Sequence, residues 1–366
     1  MRKLKRGVAL YATDRADHYL IGSKKRAIRI STPIEKAFIA TLASGASNDA
    51  IKELLGSLTP SQKERIEELI AALDSAQLCE RRQGKLALSK RFISSSNGRA
   101  TKNSRPEMDA AFIQLQNRVA IELEQASWIA NVDDGGIEIL SARQDILIEI
   151  SGTSRVATIL YSLLLASGAT QTRFAPTFRE ASPAIGDSDI AIGSFTMNHI
   201  GFSFAKQCEV LRRELSLFPH DRDSNYLDEL STPDLRVHCG DIDPEKLAMW
   251  MNTGQPFLHI PTPQADTAQI GPLVIPGQSP CIRCAELAER EQSGVLSKKP
   301  LRHEGHSDFP VIAAYFIASL AASQALSFFE KQSSETTGKV ISLDYQSLTH
   351  PQVVTIARHP LCGCAF

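Results

Sequence analysis

Short runs in which apolar and polar residues partly alternate open the chain: RGVALYA, HYLIGS and RAIRIS, separated by polar turns. A period of two lays one face of a strand on a core, so three strands are predicted. The period then changes. In STPIEKAFIATLASG, Ser31 or Thr32 stands as N-cap, Pro33 takes the first helical position and Gly45 provides the stop. ASNDAIKELLGSL reads as a second short helix. TPSQKERIEELIAALDSAQL reads as a third, opened by Thr59-Pro60, with Ile66, Leu69, Ile70 and Leu73 on one face. Three strands followed by three helices predict a compact winged-helix-like module over residues 1–82.

Residues 83–105 are polar, Ser-rich and basic, and a helix is predicted over Glu107–Ser127, so 83–140 read as a linker and a bridging helix. Beyond that the pattern becomes α/β. DILIEI is an apolar strand, SRVATILYSLLLASG a helix and TQTRFA a second strand. HIGFSFAKQCEVLRRELSLF, DLRVHCG, DPEKLAMWMNTG and PFLHIP then read as helix, strand, helix and strand. Such alternation predicts a Rossmann-like, mostly parallel sheet with helices on both faces over residues 141–366. Val311–Phe329 carries no charge over 19 residues, near bilayer length. Its serines, Gln324 and many alanines predict a buried helix instead, with small residues permitting close packing.

Composition narrows the classes without choosing one. At 366 residues the chain can hold two or three domains with real cores. A net charge of −1 offers no general attraction to nucleic acid or to an anionic membrane, and neither is expected as a partner. The basic start precedes an apolar run too short for a signal peptide, so a cytoplasmic protein is expected. Seven cysteines, an odd number, argue against a disulfide framework. Four of them form pairs, Cys281-x-x-Cys284 and Cys362-x-Cys364. On spacing alone these could be redox pairs, halves of a metal site or chance.

The order strand, SGTSRVA, helix, with a C-x-x-C and a terminal cysteine pair, resembles the ThiF/MoeB-like (ubiquitin-activating-enzyme-like) superfamily. IGPLVIPGQSPCIRCAEL and HPLCGC are similar to the ThiF-like proteins of bacteriocin and thiazole/oxazole-modified-peptide clusters. The first 80 residues resemble the PqqD-like peptide-recognition element that precedes such proteins. The resemblance places the two cysteine pairs together. Four thiolates would give Zn²⁺ a closed, structural, tetrahedral site of Cys281, Cys284, Cys362 and Cys364. His359, His303 and His306 are competing ligands that read more simply as loop histidines.

Members of the wider superfamily adenylate a carboxylate with ATP and Mg²⁺, whereas the bacteriocin-cluster subset is thought to hold a leader peptide for a YcaO-type cyclodehydratase. A phosphate-cradling turn needs glycines. Here it reads Gly152-Thr153-Ser154-Arg155-Val156-Ala157, with Ser154 in the second glycine's place and Ala157 in the third. Pro176 stands near where a ribose-binding acid belongs. The segment SDIAIGSFTMNHIGFSFAKQ contains no arginine, and Phe202 and Phe204 occupy the lysine positions of the family's GKPKA-like stretch. Asp241 corresponds to the magnesium-binding Asp, with Ile242 in place of the usual Asn and Lys246 in place of an arginine. The simpler reading of Asp241 is an acid in the N-cap region of the next helix. Cations stabilise phosphoryl transfer, so a degenerate nucleotide site is expected and ATP is not expected as a cofactor.

The resemblance also implies that a peptide adds as a strand between the third strand and the third helix. Ala27, Ile28, Arg29 and Ile30 would offer the edge, and Ile66, Leu69, Ile70 and Leu73 the apolar wall, unless that wall is simply core. Lys63 and Arg65 could meet acidic leader residues, though on an exposed helix they read more simply as solvated charges. The expectation is therefore a leader-peptide-binding scaffold that recruits a ribosomal precursor to a YcaO-type cyclodehydratase. An adenylating enzyme is the alternative, and a DNA-binding winged helix ranks below both because SQKERIEELIAALDS is near neutral. A homodimer is a family-based expectation only.

Overall fold

The computed structural model describes residues 2–15, 18–81, 117–152, 154–175, 183–217, 231–264, 266–294 and 308–364. The expected linker 83–105, Pro176, His303 and His306 lie outside the described residues. The described chain divides into two compact units, residues 2–81 with 117–142, and residues 143–364.

In the first unit, β1 (Lys3–Leu4) precedes β2 (Ala9–Ala12), β3 (Tyr19–Gly22) and β4 (Ala27–Ile30). The last three form an antiparallel sheet in that order, with Leu10 opposite Ile21 and Ile21 opposite Ile28. Then come α1 (Pro33–Ser44), α2 (Asn48–Gly56) and α3 (Pro60–Ser75). The start of α1 is a capping box: Thr32 Oγ1 accepts from Glu35 N, while Glu35 Oε2 accepts from Thr32 N at 2.8 Å and from Ser31 N at 2.9 Å. Ile21, Ile30, Phe38, Leu42, Ile66 and Leu73 form the buried centre. One pairing had no sequence signal, because two-residue strands are too short to show a period. β1 pairs with β5 (Cys79–Glu80), Leu4 opposite Cys79. Residues 117–127 (α4) continue the unit: buried Lys5 donates to Ser127 O, and Trp128 Nε1 donates to Arg6 O at 3.2 Å. Helix α5 (Ile137–Arg143) ends at the boundary.

The second unit is built on a five-stranded sheet. β6 (Ile148–Ser151), β7 (Arg173–Phe174), β8 (Leu235–Cys239) and β9 (Phe257–Ile260) run parallel, and β11 (Leu273–Val274) closes one edge antiparallel, in the order β11-β9-β8-β6-β7. Every residue of β6 and β9 is buried, as parallel strands covered on both faces require. Helices α6 (Arg155–Ala166), α7 (Phe204–Leu215) and α8 (Pro244–Asn252) connect the strands. α7 starts later than its apolar run suggests, because Ser203 caps it and a short 3₁₀ turn at Met197–His199 precedes it.

After β9 come β10 (Thr267–Ile270), α9 (Ile282–Ser293) and α10 (Val311–Glu330). α10 is the uncharged run of bilayer length, and it is a core helix: Ala314, Ala318, Ala321, Ala322 and Ala325 are buried in the cluster that includes α6. Its buried Gln324 is satisfied, accepting from Ser334 Oγ at 2.7 Å and Thr336 N at 3.2 Å. Beyond it, β12 (Lys339–Asp344) and β13 (Gln352–Thr355) join β10 in a second, antiparallel sheet, ordered β10-β12-β13, which the sequence reading missed. All four residues of β13 are exposed, so no alternation marks it.

Candidate functional site

The two cysteine pairs meet. Cys281 is the N-cap of α9, and its carbonyl accepts from Cys284 N at 3.1 Å, which places both thiols on one side of the first turn. The turn before it is fixed by Ser279 Oγ, which accepts from Ile275 N at 2.8 Å. From the other end of the chain, Arg358 Nη2 donates to Gly277 O at 2.8 Å, and Gly363, at φ +72°, turns the chain between Cys362 and Cys364. Sγ atoms lie 3.3 Å apart for Cys281–Cys362 and Cys284–Cys364 and 3.9 Å apart for Cys281–Cys284, and all four lie within 4.8 Å of one another.

These separations are far beyond a disulfide bond. They bracket the ~3.8 Å edge of a tetrahedron whose metal–sulfur bonds are ~2.3 Å. Burial pushes the Cys284 thiol up, but hydrogen bonds from the His359 backbone and the neighbouring thiols outweigh it and bring it down to about 7. Burial raises Cys281, and raises Cys362 to about 11. Four thiols this close can all ionise only around a cation. The cluster is therefore a group able to hold a metal ion. His359 does not compete for it: its ring Nε2 lies 3.0 Å from Glu291 Oε1, and it reaches Cys284 Sγ only through its backbone N–H, at 3.4 Å. A small separate core of Trp250, Phe257, Val274, Ile282 and Ile356 supports the cluster.

The C-terminal ends of β6, β8 and β9 form the mouth where a parallel sheet binds ligands. Gly152 sits there at φ +110°, and a Cβ on it would collide with the carbonyl oxygen of Cys239. Its glycine is required by the close passage of the β6 and β8 ends, whatever binds. Ser154 caps α6, accepting from Ala157 N at 3.3 Å, so the serine satisfies a donor that a phosphate would need. Arg155 is turned to main-chain oxygens, donating from Nε to Ile190 O at 3.0 Å and from Nη1 to Phe309 O at 2.8 Å. Phe204 is buried, packed edge-on against Phe174 and Phe195 at centroid distances of 5.1 Å. Phe202 is exposed, as is Ile192 on the arginine-free segment.

Asp241 is exposed at the end of β8 and is not the cap of α8; Asp243 is, accepting from Glu245 N at 2.8 Å. Two buried histidines hold the loop that carries Asp241. His238 Nε2 lies 2.9 Å from Asp241 O, His259 Nε2 lies 2.9 Å from Gly240 O, and His238 Nδ1 lies 2.6 Å from Ser151 Oγ. Carbonyl partners fix the proton on Nε2, so Ser151 donates to Nδ1. Burial lowers the pKa of His238. Sequence reasoning missed this pair, since lone histidines in apolar strands carry no spacing signal. Lys246 lies 5.2 Å from the centroid of the Trp250 ring.

In the first unit, β4 pairs only with β3 among the described strands, which leaves its other edge open. Ala27 and Arg29 are exposed and Ile28 is half-buried, while Ile30 is buried in the core. Ile66, Leu69 and Leu73 are buried in the same core, so only Ile70, half-buried, remains at the surface of the expected wall. A helix with one apolar stripe and no other partner buries that stripe against the sheet. Lys63 pairs with Glu67 at 3.9 Å, and Arg65 with Glu35 at 3.2 Å and Ser31 Oγ at 2.9 Å.

Neither a protein-family model nor a curated protein matches the chain. Solved structures do, over the whole length. E. coli MccB with AMPCPP and MccA has a TM-score of 0.66 at 13% identity, covering 100% of this chain and 99% of that one. E. coli MccB with ATP has a TM-score of 0.62 at 14% identity, covering 100% and 99%. The microcin C7 biosynthetic enzyme MccB in complex with N-formylated MccA has a TM-score of 0.62 at 13% identity, again covering 100% and 99%. At such identities the likeness is one of fold alone: the chain shares the fold of E. coli MccB. Because one of these neighbours carries ATP, the expectation that ATP is not a cofactor draws no support from them.

Proposed function

We propose that this protein binds a ribosomally made precursor peptide through its N-terminal unit, a winged-helix-like recognition element, and presents it to a separate modifying enzyme without adenylating it. The observation that carries the reading is the open edge of β4, a row of backbone donors and acceptors suited to an added strand. Its accessible peptide-facing residues are Ala27, Ile28, Arg29 and Ile70. The partner expected in this reading is a YcaO-type cyclodehydratase, acting in the cytoplasm on a bacteriocin-like azole peptide. The shared fold with a protein solved with MccA supports the peptide half of the proposal.

The non-catalytic half is supported by the mouth of the sheet. A lysine position filled by buried Phe204 cannot present a cation to a phosphate, and Ser154 is engaged in capping. Cys281, Cys284, Cys362 and Cys364 would hold a Zn²⁺ ion, a closed site that supplies rigidity and leaves no position for water chemistry.

A second reading, adenylation of a peptide carboxylate, has one specific observation in its favour: Asp241 is exposed at the mouth, where a magnesium-binding acid belongs. Titration with Mg-ATP and an ATP–pyrophosphate exchange assay separate the two. The carrier reading expects no exchange and no ATP binding below millimolar concentration. Micromolar ATP affinity with exchange would overturn it.

A further inference from the structure

Lys63 and Arg65, the basic side chains that could meet acidic leader residues, are engaged with Glu67 and Glu35. Others are not. Lys24, Lys25 and Arg26 make up the turn that leads into β4, and Arg29 stands on β4 itself. Among the described residues none of these four has an acidic partner. Asp74 pairs with Arg2 and Arg81, and Arg26 donates to the neutral Gln77 Oε1, at 3.4 Å. Lys24, Lys25 and Arg29 are exposed, whereas Arg26 is partly buried. An open strand edge with unpaired cations along it is a combination of unmet backbone bonds and unmet charge.

The two faces of that edge differ. Ile28 and Ile30 belong to the core face, with half-buried Ile70 packed on the same cluster, while Ala27 and Arg29 are exposed on the opposite face. Residues directly opposite one another in paired strands share a face. In a strand added to β4, the residues opposite Ile28 and Ile30 would point toward the apolar cluster. The residue opposite Arg29 would point outward, beside a guanidinium, and the next outward one would lie opposite Ala27, next to the Lys24-Lys25-Arg26 turn.

We propose that this edge selects an acidic strand of period two, with apolar side chains facing Ile28 and Ile70 and carboxylates facing Arg29 and the Lys24–Arg26 turn. This rests on the reading of the N-terminal unit as a peptide-binding element, and it adds which peptides that element takes. Attraction at exposed positions is modest per pair and is screened by salt. Several pairs along one strand act together, so the selectivity is greatest at low ionic strength.

The test uses the full chain and three fluorescein-labelled peptides of about twelve residues. All share alternating Leu and Ile; the intervening positions are Glu, Ser or Lys. In anisotropy titrations at low salt the Glu peptide should bind about tenfold more tightly than the Lys peptide, with the gap closing toward ~0.5 M salt as the Debye length contracts. Lys24→Glu with Lys25→Glu, and separately Arg29→Glu, should invert the preference toward the Lys peptide. Each variant should keep the parent melting temperature, because these side chains are exposed. Equal binding of all three peptides would overturn the charge selection while leaving strand addition at β4 intact. Failure of all three to bind the folded chain would overturn the edge as a binding site.

Discussion

The cysteine cluster and the mouth of the parallel sheet both begin as short motifs, Cys281-x-x-Cys284 and the Gly152–Ala157 turn, and the fold treats them oppositely. To the first it brings Cys362 and Cys364 from about 80 residues away, with every sulfur within 4.8 Å of the others. To the second it brings Phe204 as a core side chain, Ser154 as a helix cap and Arg155 as a brace between main-chain oxygens. A metal centre asks only for donor atoms at the right separation, so convergence completes it. A phosphate cradle asks for cations and uncovered amides, and buried Phe204, the capping Ser154 and the main-chain-bound Arg155 are not turned to that use here. Similar-looking motifs thus differ in how much they depend on what arrives from elsewhere.

The strongest way to break this contrast is at the cysteines. Cys284→Ser, or exhaustive chelation, should remove one equivalent of bound metal and destabilise the second unit by roughly 4 kcal/mol or more, the range of lost metal sites. Metal analysis beside thermal melting checks it, and an unchanged melt would make the cluster four ordinary thiols. At the mouth, Gly152→Ala adds a Cβ against Cys239 O at a left-handed φ, and should cost about 3–5 kcal/mol in urea unfolding. A small loss would mean the β6 and β8 ends can separate, reopening a ligand role for the glycine.

Phe204→Lys puts a cation at the position where the resembling family's motif has a lysine. With the side chain inside an aromatic cluster, about 3 kcal/mol of stability should be lost and no pyrophosphate exchange gained. Recovery of exchange would show the mouth to be one residue from activity.

The smallest expected effect concerns His238. Burial lowers its pKa, so it stays neutral in the fold while the unfolded chain takes up a proton near the ordinary value of ~6.5. Its contribution to stability is therefore fully present above that pH and declines as pH falls through ~6.5 toward the lower folded value, by at most ~1.4 kcal/mol per pH unit. Urea midpoints for wild type and His238→Gln between about pH 5 and 7.5 should differ in slope, the variant being flatter.

Much of the architecture was legible in the chain. β2, β3 and β4 partly follow a period of two, α1 has its Thr32–Pro33 start, and β6, β8 and β9 are short runs rich in apolar residues between helical patterns. β1, β5 and β13 were not legible, because two-residue pairings and a fully exposed strand have no hydrophobic period to read. The site was half legible for a related reason. Ile66, Leu69 and Leu73 were recognisable as one apolar face, yet a face looks the same in sequence whether a sheet or a peptide covers it. Lys63 and Arg65 were recognisable as basic, but only the fold reveals Glu67 and Glu35 beside them.

By itself the sequence determined the order of the N-terminal strands and helices and of the parallel α/β elements, the four cysteines and the replacements in the nucleotide-binding motifs, because local periodicity and residue chemistry are written into neighbouring positions. Only the tertiary structure decided that the two cysteine pairs meet, that Gly152 serves strand passage, that Phe204 is buried, and that the cations of β4 and its turn have no acidic partner among the described residues. Distance, burial and charge pairing are relations between residues far apart in the chain, and they come into existence when it folds.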